Sequence, residues 1–167
     1  MEQKISFNHL LQGILYVGGL FSLKFLLSTF DNTFVGFASL IISVISLLVL
    51  YNIVLNYRNS FFNGYINYWK SFKYIFILYF FSNIIVSIIM IIYSTINPEF
   101  SDFLANNTFK TYEAMKVEIN DQIYDFITFI TKPVPYGLTN LFASIFSAAF
   151  WAFILSFFIK KEKNIFE

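Results

Sequence analysis

The sequence contains no cysteine, and this absence excludes several kinds of site. Disulfide bonds, thiolate nucleophiles, Cys–His dyads and thiolate metal ligands all require that side chain. Histidine is almost absent as well, because His9 is its only representative. Metal sites built from several histidines are therefore excluded, and a Ser–His pair is disfavoured. We interpret His9 as a capping or interfacial residue that precedes the first apolar run.

Charge is also scarce. Asp, Glu, Lys and Arg make up 13% of the 167 residues, whereas apolar residues make up 57% and the mean hydropathy is +0.66. A soluble domain typically has about 25% charged residues. The sequence has neither a glycine-rich phosphate loop nor the pair of intramembrane acids that an aspartyl-type membrane protease needs. We predict an integral membrane protein that is not an enzyme, uses no cofactor or metal and binds no nucleic acid.

Long apolar runs dominate what is present. Runs at about 10–30, 34–56, 74–96 and 137–159 are each long enough, at about 1.5 Å per helical residue, to cross a hydrocarbon core of about 30 Å. The predicted fold class is all-α: an integral membrane four-helix bundle with an additional extracytoplasmic amphipathic helix between helices 3 and 4. The whole chain, 1–167, is predicted to form a single membrane domain.

The distribution of basic residues predicts the orientation of the bundle. Lysine and arginine near the ends of short-looped helices stay in the cytoplasm. With the N-terminus inside, seven of the eleven basic residues are cytoplasmic: Lys4, Arg58, Lys70, Lys73, Lys160, Lys161 and Lys163. We therefore expect a multi-pass protein of the bacterial inner (plasma) membrane with both termini in the cytoplasm.

The outer segment, about 97–136, has the pattern of an amphipathic helix. Apolar residues from Phe109 to Ile130 recur mostly at spacings of three and four, and Pro133 and Pro135 are predicted to stop this helix before Gly137 restarts the last span. Three carboxylates are predicted to follow the opposite face at i, i+3 and i+7: Glu118, Asp121 and Asp125. A solvated acidic face is the favoured interpretation, and divalent-cation binding is the alternative.

Few polar side chains lie within the spans. Lys24 is the only formal charge, so it is either snorkelled or paired, with Asp31 as a distant counter-charge, or part of an ion, proton or lipid pathway. Asn83 and Asn140 are candidate functional residues of the same kind, and interhelical hydrogen bonding is the favoured role for both.

Small residues form ridges on two spans. Ser144, Ala148 and Ala152 repeat every four residues in the last span, and Gly18 and Ser22 do so in the first. Such ridges let helix backbones approach closely. Packing within one chain is favoured over a seam between copies of a homo-oligomer.

The segment 57–73 joins the second and third spans and mixes basic with aromatic residues. Phe61, Phe62, Tyr65 and Trp69 at helical spacing predict a short interfacial helix. We interpret this segment as a membrane anchor whose basic residues lie near anionic lipid head groups, with docking of a partner protein as the alternative. The predicted anchor residues are Arg58, Tyr65, Trp69, Lys70 and Lys73.

The connection "YRNSFFNGYINYWKSFKYIF", the long helix after it, the outer acidic segment and the ending "FFIKKEKN" resemble a bacterial membrane family known as domain of unknown function number 4199. In that family the second helix ends in a polar-aromatic turn containing glycine, and a Ser-Phe pair opens the third; here these are Gly64 and Ser71-Phe72. The resemblance implies a four-helix inner-membrane protein with no assigned activity or cofactor.

Two functions are compatible with these features. The favoured one is a non-enzymatic structural or interaction subunit whose partners are the lipid bilayer and another membrane protein or a second copy. The alternative is a small transporter or channel component that uses Lys24 in a polar path.

Overall fold

The computed structural model describes residues 7–30 and 32–162, and this part of the chain is all-α, as predicted. Its helices are α1 (Phe7–Ser28), α2 (Thr33–Phe62), α3 (Tyr68–Ile96), α4 (Pro98–Ala114), α5 (Asp121–Ile130) and α6 (Pro133–Ile159). Within the described residues, four helices, α1, α2, α3 and α6, are long and apolar enough to cross a membrane, by length and composition. They correspond to the four predicted spans.

The chain forms two compact units. The first unit comprises the described residues of Met1–Val86 and Ala143–Glu167, and the second comprises Ser87–Phe142. Helices α3 and α6 contribute residues to both units, because each runs across a unit boundary.

One core holds the first unit together, and α1, α2, α3 and α6 all contribute to it. Its fully buried members include Val17 of α1, Leu50 of α2, Leu78 of α3 and Ala152 of α6. Ile66, from the connection between α2 and α3, completes this core. The predicted four-helix packing is confirmed for this unit.

The second unit has a smaller core. Phe100, at the start of α4, is buried against Tyr93 of α3 and Tyr136 of α6, with ring centroids 5.1 and 6.1 Å away. Gly137 lets α6 approach α3 closely, because a Cβ at this position would lie 3.0 Å from the backbone oxygen of Ser87. Aromatic burial and one close backbone approach thus organise this unit.

The predicted interfacial helix at 57–73 is wrong. Helix α2 continues to Phe62 and α3 begins at Tyr68, so the connection is a short turn. Asn63 and Gly64 adopt positive φ values of 51° and 84°, which end α2 in the left-handed conformation that Asn and Gly tolerate best. Asn67 then accepts a hydrogen bond from the Lys70 backbone N–H at 2.9 Å and starts α3.

The prediction of a single helix in the outer segment is also wrong, since the structure has α4 and α5. Lys116 ends the first helix with a φ of 56°, and the Asn120 side chain caps the second by accepting from the Ile123 N–H at 2.9 Å. The break folds the chain back, so that the rings of Phe109 and Tyr124 stack with centroids 5.1 Å apart. In one straight helix they would be roughly 22 Å apart.

The prolines of the "KPVPYG" sequence lie in the first turn of a helix. We had predicted that they lie between two helices. Pro133 is the first residue of α6, and Pro135 lies in its first turn, where backbone N–H groups have no partner within the helix. The last apolar helix therefore starts four residues earlier than predicted, at 133 and not at 137.

Candidate functional site

A polar groove lies between α1 and α2, where α1 begins and α2 ends. It has a volume of about 390 Å³. Its lining residues are His9, Gln12, Gly13, Tyr16, Ile53, Asn56 and Ser60. The helices are antiparallel neighbours across a short turn, so the first two turns of α1 face the last turns of α2. This arrangement brings polar side chains of two largely apolar helices together in one groove.

His9 is held in place by aromatic rings. Its Nδ1 atom shares a hydrogen bond of 2.6 Å with the Tyr74 hydroxyl of α3. The Tyr74 ring in turn stacks on Tyr57 of α2 at a centroid distance of 3.8 Å, and Phe61 meets the His9 ring edge-on at 5.6 Å. His9 thus ties together three helices and forms one fixed wall of the polar groove.

The other polar side chains of the groove are free to bind something else. Gln12, Tyr16, Asn56 and Ser60 are exposed, and their side chains form no hydrogen bond with residues 7–30 or 32–162. Together they offer amide and hydroxyl groups that both donate and accept hydrogen bonds. The arrangement is suited to binding another polar group laterally.

Sequence reasoning missed this groove. It assigned His9 a capping or interfacial role and did not single out Gln12, Asn56 or Ser60. A signal was present, because Asn56 and Ser60 are four residues apart, and His9, Gln12 and Tyr16 follow the i, i+3, i+7 spacing of one helix face. What the spacing could not supply is the register that sets these two faces beside one another.

An aromatic groove lies between the start of α3 and the end of α6, also in the first unit. Its volume is about 420 Å³. Its lining residues are Tyr68, Trp69, Phe72, Phe153, Phe157 and Lys160. Tyr68 bridges the helices: its ring centroid lies 5.0 Å from that of Phe157, and its hydroxyl donates to the Phe153 carbonyl at 3.3 Å. Lys160 lies over the Phe157 ring, 5.6 Å from its centroid.

The end of α2 and the connection between α2 and α3 form hydrogen bonds with the end of α6 and the residues after it. Arg58 donates through Nη1 to the Ile159 carbonyl at 3.0 Å and so caps α6. Ile66 and Lys161 exchange two backbone hydrogen bonds of 2.9 Å, and the Lys161 ammonium lies 5.4 Å from the centre of the Tyr65 ring.

The predicted anchor residues therefore have different environments. Arg58 and Tyr65 contact the end of α6, whereas Trp69, Lys70 and Lys73 are exposed. The Lys70 ammonium lies 5.4 Å from the centre of the Phe62 ring. Their role as membrane anchors stays a prediction.

Lys24 is exposed on α1, four residues before the helix ends at Ser28. Its suggested counter-charge, Asp31, lies outside the described residues. The buried neighbours of Lys24 along α1, Ser22 and Phe25, point into the first unit, so the lysine occupies the outer face of the helix.

The two predicted asparagines are hydrogen-bonded. Asn83 donates to the Tyr79 carbonyl of its own helix at 3.0 Å, and Asn140 donates to the Ser87 hydroxyl of α3 at 3.0 Å. Ser82, buried in the first unit, donates to the carbonyls of Leu78 and Ile14 at 2.8 and 3.2 Å. The bonds of Asn140 to Ser87 and of Ser82 to Ile14 join two helices. The Asn83 bond lies within α3, so the predicted interhelical bond is found for Asn140 and not for Asn83.

The small residues face the interior of the first unit. Ser144, Ala148 and Ala152 are all buried. A Cβ at Gly18 would lie 3.2 Å from the backbone oxygen of Ser82, so this glycine allows α1 to approach α3 closely. Packing within one chain, the favoured interpretation, accounts for these ridges.

The three predicted carboxylates do not share one helix face. Glu118 lies in the break between α4 and α5, Asp121 is the first residue of α5, and Asp125 lies one turn later. The break at Lys116 is the reason, because the i, i+3, i+7 relation holds only along an unbroken helix. Within the part of the chain that the structure describes, no group of three or more His, Asp or Glu side chains could hold a metal ion.

Comparison with known proteins identifies one family. The family described as "Protein of unknown function (DUF4199)" matches residues 13–161. Neither a curated protein nor a solved structure matches the chain. The match spans the polar groove from Gly13 onward, the aromatic groove and the segment of α4 and α5. The chain therefore belongs to the DUF4199 family, whose function is unknown, and it has the four apolar helices expected of a membrane protein.

Proposed function

We propose that the protein is a non-enzymatic, four-span subunit of the bacterial inner (plasma) membrane, with both termini in the cytoplasm. The basic residues support this orientation, because the connection after α2 and the end of α6 are joined through the Ile66–Lys161 pair. These two segments together carry Arg58, Lys70, Lys73, Lys160 and Lys161. Lysine and arginine clustered at one end of a helical bundle favour the cytoplasmic side.

The absence of native cysteine makes the orientation directly testable. In intact cells a membrane-impermeant maleimide should label Lys110→Cys but not Lys73→Cys, and permeabilisation should expose Lys73→Cys. Labelling of Lys73→Cys in intact cells would show that the orientation is the reverse of the one proposed.

We further propose that the protein acts as an interaction subunit, which holds a helix of a partner membrane protein against the polar groove. The observation that carries this function is a set of exposed side chains in the groove that form no hydrogen bond within the described part of the chain: Gln12, Tyr16, Asn56 and Ser60. An amide or hydroxyl group that faces hydrocarbon has no water molecule with which to form a hydrogen bond. A hydrogen bond to a partner helix would pair this group, and such an interhelical bond contributes about 0.6 kcal/mol in a membrane.

The depth of the groove favours a membrane partner over a soluble one. Tyr16 lies nine residues after the first residue of α1, which is about 14 Å along the helix. The polar face therefore extends toward the middle of a hydrocarbon core of about 30 Å. A partner helix that supplies its own polar side chains would satisfy this face along its whole length.

The position of Lys24 supports the interaction function over a polar path. It lies on the outer face of α1, and the first unit fills its centre with apolar residues and with serines that bond to carbonyl groups. Flux of a solute into vesicles reconstituted with the protein, lost in Lys24→Met, would overturn the interaction proposal.

Site-specific photocrosslinking in native membranes tests the partner. A photoreactive residue at Gln12 or Asn56 should produce the same protein adduct, and one at Leu40 should not. Leu40 is exposed on α2 and lies about 160° around the helix from Asn56, so it is a control for the opposite face of α2. The Asn56 adduct should weaken when Ser60→Leu is added.

Two results would contradict this proposal. Adducts with lipid alone at all three positions would show that no partner protein lies against the polar groove. An adduct of twice the mass of the chain would show that the groove contacts a second copy of this chain.

A further inference from the structure

We propose that the aromatic groove binds an anionic phospholipid, with an acyl chain against its rings and the phosphate at Lys160. This inference goes beyond the interaction function and does not depend on it, because the polar groove and the aromatic groove share no lining residue. It rests on the shape of the groove, on the charge at its rim and on its place at the ends of two apolar helices.

The walls of the groove are apolar, and their rings contact one another. Phe153 and Phe157 contact each other at a centroid distance of 5.1 Å on α6, and Trp69 and Phe72 do so at 5.8 Å on α3. Tyr68 joins the walls through its contact with Phe157. Trp69 is nevertheless 66% exposed, so a large apolar surface faces outward where a flexible hydrocarbon chain can cover it.

The rim of the groove is positively charged. Lys160 lies over Phe157 and is exposed to solvent. Its ammonium can therefore turn to a phosphate without breaking an ion pair to residues 7–30 or 32–162. Residues 57–74 contain three basic residues and no acid, and residues 157–162 contain two basic residues and Glu162. An anionic head group is thus favoured over a neutral one.

Arg58 increases this preference. The C-terminal end of a helix carries a partial negative charge, which would repel a phosphate at the end of α6. The Arg58 guanidinium donates to the Ile159 carbonyl and offsets that charge beside Lys160. The end of α6 therefore presents Lys160 without an opposing dipole.

The position of the aromatic groove in the fold favours a lipid as its ligand. It lies where α3 begins and α6 ends, and both helices are long and apolar enough to span a membrane. Tryptophan and lysine at helix ends are typical of head-group depth. A phospholipid places its phosphate at that level and its acyl chains toward the middle of the helices, which matches Lys160 at the rim and Phe153 and Phe72 deeper along the walls.

Quenching of Trp69 by brominated lipid tests the proposal. Trp69 and Trp151 are the two tryptophans, so Trp151→Phe leaves Trp69 as the only fluorescent indole. In phosphatidylcholine vesicles, phosphatidylglycerol with brominated acyl chains should halve its fluorescence at a mole fraction several-fold lower than brominated phosphatidylcholine requires. Lys160→Gln should remove this difference, and Lys110→Gln, a lysine of α4, should preserve it.

Two further measurements separate the explanations. Trp69→Phe, which retains Trp151, should be quenched equally by both lipids, and inorganic phosphate should not reverse the quenching of Trp69. Equal quenching of Trp69 by the two lipids, or a preference that survives Lys160→Gln, would overturn the proposal. Protection of Trp69 from both lipids would also overturn it, because a protein would then occupy the groove. Helicity and elution volume matched to the parent exclude misfolding of a variant.

Discussion

The helix contact around Tyr74 in the first unit and the helix contact around Gly137 in the second unit are stabilised by different means. In the first unit large rings are buried, with Tyr74 fully inaccessible, stacked on Tyr57 and bonded to His9. In the second unit the α3–α6 approach depends on a missing side chain at Gly137 and on one polar contact, from Asn140 to Ser87. Side-chain volume holds the first contact together, whereas the absence of volume permits the second. Substitutions at these two contacts should therefore act in opposite directions: removal of atoms harms the contact around Tyr74, and addition of atoms harms the contact around Gly137.

Removal of a ring from the first unit should have the largest effect. Tyr74→Ala leaves a cavity beneath Tyr57 and releases His9, so the free energy of unfolding should fall by about 3–5 kcal/mol. Titration of the protein from mild detergent into dodecyl sulfate measures this change. Tyr16→Ala is the control, since Tyr16 is 68% exposed, and it should change the free energy little. Equal losses from both variants would show that burial of Tyr74 does not hold the unit together.

Addition of one methyl group to the second unit should also lower the free energy of unfolding, by a smaller amount. At Gly137→Ala the new Cβ would clash with Ile91 Cγ1 and would lie 3.0 Å from the Ser87 backbone oxygen. The Ile91 side chain can shift but the backbone oxygen resists, so we expect a loss of about 1–3 kcal/mol in the same titration. Gly19→Ala, which meets nothing within 4 Å, is the matched control. It should be neutral or slightly stabilising, and a loss there as large as at Gly137 would refute close approach as the cause.

Loss of the polar contact in the second unit should have the smallest effect. Asn140→Ala removes the 3.0 Å hydrogen bond to Ser87. A double-mutant cycle with Ser87→Ala should give a coupling energy of about 0.6 kcal/mol, the usual size of an interhelical hydrogen bond in a membrane. A coupling energy near zero would leave Gly137 as the main determinant of this helix contact.

Much of the fold could be predicted, because long apolar runs leave few alternatives. The four spans follow from hydropathy. The turn at Gly64 was implied only by the family resemblance, because the aromatic spacing predicted a helix across it. The break between α4 and α5 could not be predicted from apolar spacing, since Phe109 and Tyr124 fit one helix face as well as they fit two stacked helices. Asn120 was a capping residue in a position where a continuous helix also tolerates it.

The candidate sites were harder to predict than the fold. Lys24 drew attention as the charge within a span, yet it lies on the outer face of α1. The residues of the polar groove looked unremarkable one at a time, and so did Lys160 before Arg58 and Ile66 were seen to hold the end of α6. Both grooves join residues that are far apart in the chain, and composition carries no information on such pairs.

The amino-acid sequence by itself determined that this chain forms long apolar helices and where most of them lie, because hydrocarbon tolerates only backbones whose hydrogen bonds are satisfied internally. It also determined which functions lack their chemistry, since cysteine is missing and histidine occurs once. Only the tertiary structure decided which helix faces meet. The packing of α1 on α2 placed His9 beside Asn56, and the packing of α3 on α6 placed Trp69 near Lys160. Helix rotation and register depend on how side-chain volumes interlock, and that is a property of pairs of surfaces.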